Sequence, residues 1–570
     1  MAFQLSPGVN VSEIDLTTVV PSVSTTAGAF AGAFQWGPVN KRILVDSEIT
    51  LNKRFYQPDS NTYTSFFTAA SFLAYGNNLQ VVRSANTSSH NADANTLAPN
   101  IQIANEDAFE YSYLHSDNQN ALGPFASRYP GALGNSLTIS VLDAGANFSG
   151  WQVNGANVSS YFTGAPGTSA QATAAGASND EIHIIVTDSG GLFSGAKNTV
   201  LEVFSYLSKA SDATDSLGNS NYYKNYVFNN SKYIYAVDPV DYANTHSTWG
   251  KSMSGTTFAT VASAQTVTLS GGSDATLTDA DLITAYGLFV NSEEVDISLV
   301  MSGAADTTVQ QYIIDNIATS RKDCVAFISP PSSAVVNQAG NETTNIQTWL
   351  NSLSRSTSYA VVDSGWKYMF DKYNNVYRWI PLNGDIAGLC VYTDTVRDAW
   401  WSPAGFNRGN LKNVVKLAWN PNKTQRDTIY SVGVNPVVSF PGQGTVLYGD
   451  KTLQSKPSAF DRINVRRLFI VLEKAISTAS KFSLFEFNDS FTQAQFVSLV
   501  TPFLRDVKGR RGIYDFKVVC DSTNNTPQVV DSNQFVGDIY IKPARSINFI
   551  QLNFVAVRTG VDFTEIVGKF

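Results

Sequence analysis

The chain has 570 residues, too many for one hydrophobic core, so several domains are expected. A hydrophobic share of 43% excludes global disorder, and a formal net charge of −8 excludes the broad basic footprint of a nucleic-acid binder. Charged residues make up only 15%, against roughly 25% in ordinary globular proteins, which points to a surface that associates with other protein, although Ser, Thr and Asn can also keep an uncharged surface soluble.

Residues 1–23 read as an extended arm. Val9, Val11 and Ile14 roughly alternate with polar residues, and Pro21 bars a central strand around it. A strand is expected at Ala27–Phe34, halted by the turn chemistry of Trp36-Gly37-Pro38. A second apolar run follows at Ile43–Val45. A helical pattern over Thr64–Tyr75 then ends at Gly76-Asn77-Asn78, and Leu79–Arg83 is a strand.

Composition shifts after Ala85. Residues 144–179 carry no charged side chain, and the stretch 88–275 reads as a β-rich, loop-rich insertion. Strands are expected there at Ile182–Thr187 and Lys232–Val237, with a helical stretch at Thr199–Lys209. Beyond Gly271-Gly272 the pattern becomes α/β. Thr278 with Asp281 opens a helix to Phe289, and strands at Asp296–Met301, Cys324–Ser329 and Tyr359–Val362 alternate with helices at Thr307–Ala318 and Thr344–Leu353. Such alternation implies βαβ units and a largely parallel sheet. From residue 451 a last α+β unit is expected. It has helices at Arg462–Ser480 and Thr492–Val507, then strands at Tyr514–Cys520, Val536–Lys542 and Ile547–Arg558. Val561–Val567 closes the chain as an alternating strand with nothing behind it in sequence to pair with.

No catalytic pattern competes with this architecture. His90, His115, His183 and His246 are scattered, and His183 sits between two isoleucines as a strand side chain would. Cys324, Cys390 and Cys520 lie far apart in apolar contexts and read as small buried hydrophobes. Gly250-Lys251-Ser252 lacks the earlier glycine of a phosphate loop, which falls on Thr245. Lys508-Gly509-Arg510-Arg511-Gly512 reads as a solvated turn, and Trp400-Trp401-Ser402-Pro403 as a packed loop. Neither a secretory signal nor a membrane span is expected. Leu16–Asn40 is uncharged but carries Pro21, Pro38 and many Ser, Thr and Gly residues.

Several blocks resemble the contractile-tail sheath proteins of myophages, especially the T-even type. They are Pro7–Glu13 with Gly28–Pro38, Leu269–Asp274, Tyr377-Arg378-Trp379-Ile380-Pro381-Leu382-Asn383-Gly384-Asp385 through Leu389, and Trp401–Gly409, with a smaller island at Phe125–Gly131. The resemblance implies a multidomain α/β and α+β fold whose core is assembled from both chain ends. Residues 24–87 plus 276–450 would form the α/β sheath domain, 88–275 an inserted outer domain, and 451–570 an inner α+β domain. It also implies a structural subunit, not an enzyme, that polymerises as stacked hexameric rings around a tail tube and contracts to drive the tube through the host envelope. Neighbours would be joined by exchanged terminal strands, for which Val9, Val11 and Ile14 in the arm and Phe563 and Ile566 in the tail are the candidates. Eighteen extended residues reach about 60 Å, enough to cross to another subunit.

Implied partners are further copies of the chain, a tail tube protein, and baseplate and tail terminator proteins. No cofactor, direct nucleic-acid contact or membrane insertion is implied, and the place is the virion tail, assembled in the host cytoplasm. Two other readings stand beside this one. One is an α/β enzyme built on 281–365, where Ser329-Pro330-Pro331 offers nothing obviously reactive; the other is a non-contractile adhesin or baseplate component.

Overall fold

Alanine alternates with Gly28, Phe30 and Gly32 in Gly28–Ala33 (β1), and a period of two puts Phe30 on one face of a strand and Ala29 and Ala31 on the other. The computed structural model describes residues 20, 23–94, 101–114, 123–239, 248–548 and 550–551. They fall into two units, Ser22–Ala399 with Pro403–Ala475, and Trp400–Ser402 with the chain from Ile476 onward.

In the larger unit β1 is followed by β2 (Arg42–Val45), α1 (Glu48–Phe55), α2 (Tyr63–Leu73) and β3 (Leu79–Ser84). Ser47 starts α1 by accepting a hydrogen bond from the Thr50 amide. The chain then builds an antiparallel sheet from β4 (Leu137–Asp143), β5 (Glu181–Asp188), β6 (Thr199–Ser208) and β7 (Gln265–Thr268), in the order β7-β4-β5-β6. On its return, Thr278 and Asp281 form a reciprocal capping box on α3 (Asp279–Gly287). Next come β8 (Leu299–Met301), α4 (Thr307–Tyr312, extended by a π-helical segment Ile313–Thr319), β9 (Val325–Ile328), α5 (Glu342–Leu353) and β10 (Ala360–Asp363). A hairpin of β11 (Trp366–Asp371) and β12 (Val376–Pro381) leads into α6 (Asn383–Val396), and β13 (Val434–Asn435) completes the set.

The central sheet runs β13-β10-β9-β8-β1-β3-β2, parallel except for β2. Strands from before and after the inserted sheet therefore pair directly, with Gly28 opposite both Leu79 and Leu299. One face buries Phe30, Phe72, Met301, Phe327 and Leu389; the other buries Val300, Tyr286, Ile317, Ala326 and Trp349. Burial on both faces explains why these strands read as nearly continuous apolar runs. Helices α2 and α6 meet on the first face at glycines. A Cβ on Gly384 would lie 2.4 Å from the Thr68 carbonyl oxygen, and one on Gly388 would lie 2.4 Å from the Tyr75 ring.

The foot of the insertion is tied by Arg83, the penultimate residue of β3. Its buried guanidinium donates to the carbonyls of Phe34 (2.9 Å), Gln35 (3.3 Å), Gly37 (2.9 Å) and Pro130 (2.7 Å). Burial lowers its pKa to about 10. Asn135 and Gly272 exchange hydrogen bonds beside it at 2.7 and 2.8 Å. The segments Phe125–Gly131 and Leu269–Asp274 thus converge on the end of β3.

The mixed α/β architecture agrees with expectation, and three details differ. Thr199–Ser208 is a strand, not a helix. Val200, Val203, Phe204 and Leu207 mimic the helical spacing because register irregularities against β5 interrupt the alternation, and Tyr206 there has φ +53°. The strand expected from Asp296 begins only at Leu299, as the Ser298 and Leu299 amides both donate to the Ala27 carbonyl ahead of β1. Residues 547, 548, 550 and 551 are not in a strand, and the remainder of that expected strand lies outside the described residues.

Helix α7 (Ile463–Ser480) crosses the division between the units, which falls after Ala475. In the smaller unit follow α8 (Ser490–Gly509), capped by Asp489 through the Thr492 amide, β14 (Ile513–Val519) and β15 (Asp538–Pro543).

Candidate assembly interface

Adding a strand from another chain needs an acceptor edge with unpaired backbone N–H and C=O groups. Strands β14 and β15 offer such edges. They pair antiparallel from Val519 opposite Asp538 to Ile513 opposite Pro543, with a register shift near Asp515. Neither has another strand partner among the described residues. A two-stranded ribbon is marginal alone in water, so this one depends on its backing. Tyr514 and Tyr540 are 66% and 60% exposed, and the segment joining α7 to α8 exposes Phe482, Leu484, Phe485, Phe487 and, at the start of α8, Phe491.

The ribbon is held at its root. A Cβ on Gly512 would stand 2.7 Å from Val507 and 3.1 Å from the Trp400 indole, so glycine lets the strand start against that ring. The Trp400 indole N–H donates to the Arg510 carbonyl at 3.2 Å, and the guanidiniums of Arg510 and Arg511 lie 5.2 and 5.5 Å from the rings of Trp400 and Trp401. Lys508 pairs with Asp515 at 2.9 Å. The basic turn and the tryptophan loop, separate in sequence, are one packed feature. At the other end Asn525 clasps the Val536 backbone, donating to its carbonyl and accepting from its amide, each at 2.8 Å. The five residues expected in the exchanged strands, Val9, Val11, Ile14, Phe563 and Ile566, lie outside the described residues. The sequence points to donors of this kind and to no acceptor, because Ile547–Arg558 reads as a further strand able to complete a sheet with 514–520 and 536–542.

The place where an open α/β sheet would hold a ligand, the carboxyl ends of β9 and β10, is filled by protein. Ser329 Oγ donates to Asp363 at 2.7 Å and accepts from the Asn383 amide and side chain at 3.0 and 2.9 Å. Lys367 Nζ lies 2.9 and 2.8 Å from the two oxygens of Asp385. Burial pushes Asp363 up to about 8 and raises Asp385 against the opposing pull of Lys367. Ser329, Asp363, Lys367, Asn383 and Asp385 are all at most 2% exposed, so the cluster ties α6 to the sheet and presents no group to a substrate.

His183 is a buried strand residue, as expected. Its Nδ1 accepts from the Tyr206 amide at 3.0 Å, Nε2 donates to the Gly164 carbonyl at 2.8 Å, and burial lowers its pKa. The three cysteines are free and buried.

The family models for the phage tail sheath protein central domain and the phage tail sheath C-terminal domain match residues 275–453 and 455–556. The tail sheath protein of Vibrio phage KVP40 is 36% identical, over 99% of this chain and 100% of that protein. The chain belongs to the phage tail sheath protein family. The tail sheath protein of Enterobacteria phage T4 is 34% identical over 99% of each chain. Among solved structures, a sheath tail protein of Listeria innocua aligns with TM-score 0.51 at 11% identity, covering 92% of this chain and 96% of that one. The contracted helical sheath of the anti-feeding prophage aligns with TM-score 0.50 at 13% identity, covering 97% and 99%. At these identities both bear on the fold. As a tail sheath protein the chain is a structural subunit of a contractile tail and a component of the virion tail, with a non-enzymatic role. No helix among the described residues is long and apolar enough to cross a membrane.

Proposed function

We propose that this sheath subunit polymerises as stacked hexameric rings around a tail tube and that its terminal segments are donated to the β14–β15 ribbon of neighbouring subunits. The observation that carries the reading is a two-stranded ribbon with both outer edges unpaired among the described residues. Strand addition satisfies the backbone groups of donor and acceptor together, and alternating side chains set the register. Val9, Val11 and Ile14 from one end of the chain and Phe563 and Ile566 from the other are the side chains assigned to that register.

In this reading residues 24–87 and 276–450 form the sheath domain, 88–275 an outer insertion, and 451–570 the inner α+β domain. The exchanged strands stay paired while the globular surfaces re-dock into a wider, shorter lattice, and the driving energy comes from contacts that improve on contraction, without nucleotide. Further partners are the tail tube protein and the baseplate and tail terminator proteins, with assembly in the host cytoplasm and neither nucleic acid nor membrane insertion involved.

Negative-stain electron microscopy of the purified chain tests this. Long striated tubes are expected from the full chain, and folded, soluble particles without tubes from a chain lacking residues 1–18. Ordinary tubes from the shortened chain would sink strand exchange.

A further inference from the structure

Ser24 and Thr25 stand immediately ahead of β1, where the N-terminal arm joins the central sheet, and they are held by side chains from three other elements. Arg467 on α7 meets Asp394 on α6 fork to fork, with Nη1 donating to Oδ1 at 2.8 Å and Nη2 to Oδ2 at 2.5 Å. The Thr25 hydroxyl donates to the same Oδ2 at 2.6 Å, and Arg467 Nη2 also reaches the Thr25 carbonyl at 3.3 Å. Ser298, just before β8, donates its hydroxyl to the Ser24 carbonyl at 3.0 Å. Lys474, two turns beyond Arg467, donates to that carbonyl at 3.5 Å and pairs with Asp296. Val23, Val325, Ile470 and Val471 line the groove beside these contacts.

The ion pair is buried, with side-chain exposures of 4% for Arg467 and 7% for Asp394. Burying two charges costs desolvation that their attraction offsets poorly, and an apolar pair would hold α6 to α7 as well. An apolar pair would not give the Thr25 hydroxyl and carbonyl fixed partners, whereas a planar guanidinium on a carboxylate does so in one geometry. Arg467 Nη1 also donates to the Cys390 carbonyl on α6 at 3.4 Å, so the group holds α6 to α7 as well as the arm root.

We propose that Thr25, Asp394 and Arg467, with Ser298 on the Ser24 carbonyl, form an anchor at the root of the donated arm, so that a pull from a neighbouring subunit passes into α6, α7 and the start of β8. The inference rests on the strand-exchange reading above and names the residues that position the donated arm. Ala27 is held separately, by the amides of Ser298 and Leu299. Releasing the Thr25 contacts together with the Ser298 contact to Ser24 therefore frees residues 24–26 and lengthens the tether by about 10 Å, whereas releasing the Thr25 contacts alone leaves Ser24 on Ser298. A slack tether leaves the spacing between joined subunits less sharply defined.

The test uses full-length chains carrying Arg467→Met, Thr25→Val, or either of these combined with Ser298→Ala. Cleavage by a broad-specificity protease within residues 24–26 is measured on the unassembled subunit and ring spacing on assembled tubes. The cleavage rate is expected to rise at least about tenfold in Arg467→Met with Ser298→Ala, with amide protection of β1 and β8 retained. The rise is smaller in the single variants, and ring spacing broadens in the same order. If the Arg467→Met chains fail to fold, Thr25→Val with Ser298→Ala decides, because both changes are small and leave the ion pair in place. Unchanged cleavage in the double variants, or raised cleavage with wild-type ring spacing, overturns the anchor. Failure of strand exchange itself shows elsewhere, as ordinary tubes from a chain lacking residues 1–18 whose anchor residues are intact.

Discussion

The two units differ in how far their strands are enclosed. In the larger unit β1 has β8 on one side and β3 on the other, and both faces of the sheet are covered by apolar side chains down to Phe72 at 0% exposure. In the smaller unit β14 and β15 have only each other among the described residues, and Phe482, Phe485 and Phe487 are 73%, 105% and 86% exposed. One region gives its inner strands two neighbours each and covers both faces with its own core. The other leaves edges and apolar surface that water serves badly, which is sensible only where further protein arrives.

The contrast is sharpened or broken by substitutions on each side of it. Phe72→Ala, in α2 against β1, is expected to cost about 3–5 kcal/mol in urea unfolding of the full chain. A cost below about 1 kcal/mol would mean that the larger unit is not the tightly packed partner described. Thr278→Ala removes the cap of α3 and is expected to cost about 1 kcal/mol in the same assay.

A smaller effect comes from His183. Its folded pKa lies below the ordinary value of about 6.5, so the unfolded chain takes up the proton first. Its contribution is complete above about pH 6.5 and is lost as pH falls through the lowered folded pKa. Thermal melts across that range should show a decline that is shallower in His183→Asn, where an amide oxygen still accepts from the Tyr206 backbone.

The smallest change in stability is expected from Phe482→Ser, Phe485→Ser and Phe487→Ser combined, within about 0.5 kcal/mol per site. The same triple variant should sediment as smaller species and form fewer tubes. A large loss of stability with unchanged association would place these rings in the fold of the subunit and out of its contacts.

Much of the larger unit was legible from local pattern. The α/β alternation after residue 278 could be read because strands buried on both faces are apolar runs, and because the capping box of Thr278 and Asp281 is a signal within four residues. The strand at 199–208 was not legible, since its register irregularities against β5 belong to a pairing and not to the segment. The candidate interface divided in the same manner. Alternation in the terminal segments marked possible donors, whereas the open acceptor depends on which strands fail to find a second neighbour. Trp400 and Trp401 read as a packed loop and Lys508–Gly512 as a turn, and nothing in either segment announced that the two would stack.

The sequence by itself determined the order of helices and strands around the central sheet and the absence of a recognisable catalytic motif, because period, capping and turn chemistry act between near neighbours. Only the tertiary structure decided that Arg83 would knot the foot of the insertion, that Gly384 and Gly388 would admit α2, and that Arg467 and Asp394 would close on Thr25. These are pairings between residues far apart in the chain, and burial, hydrogen-bond geometry and charge compensation have no value there until folding brings the partners together.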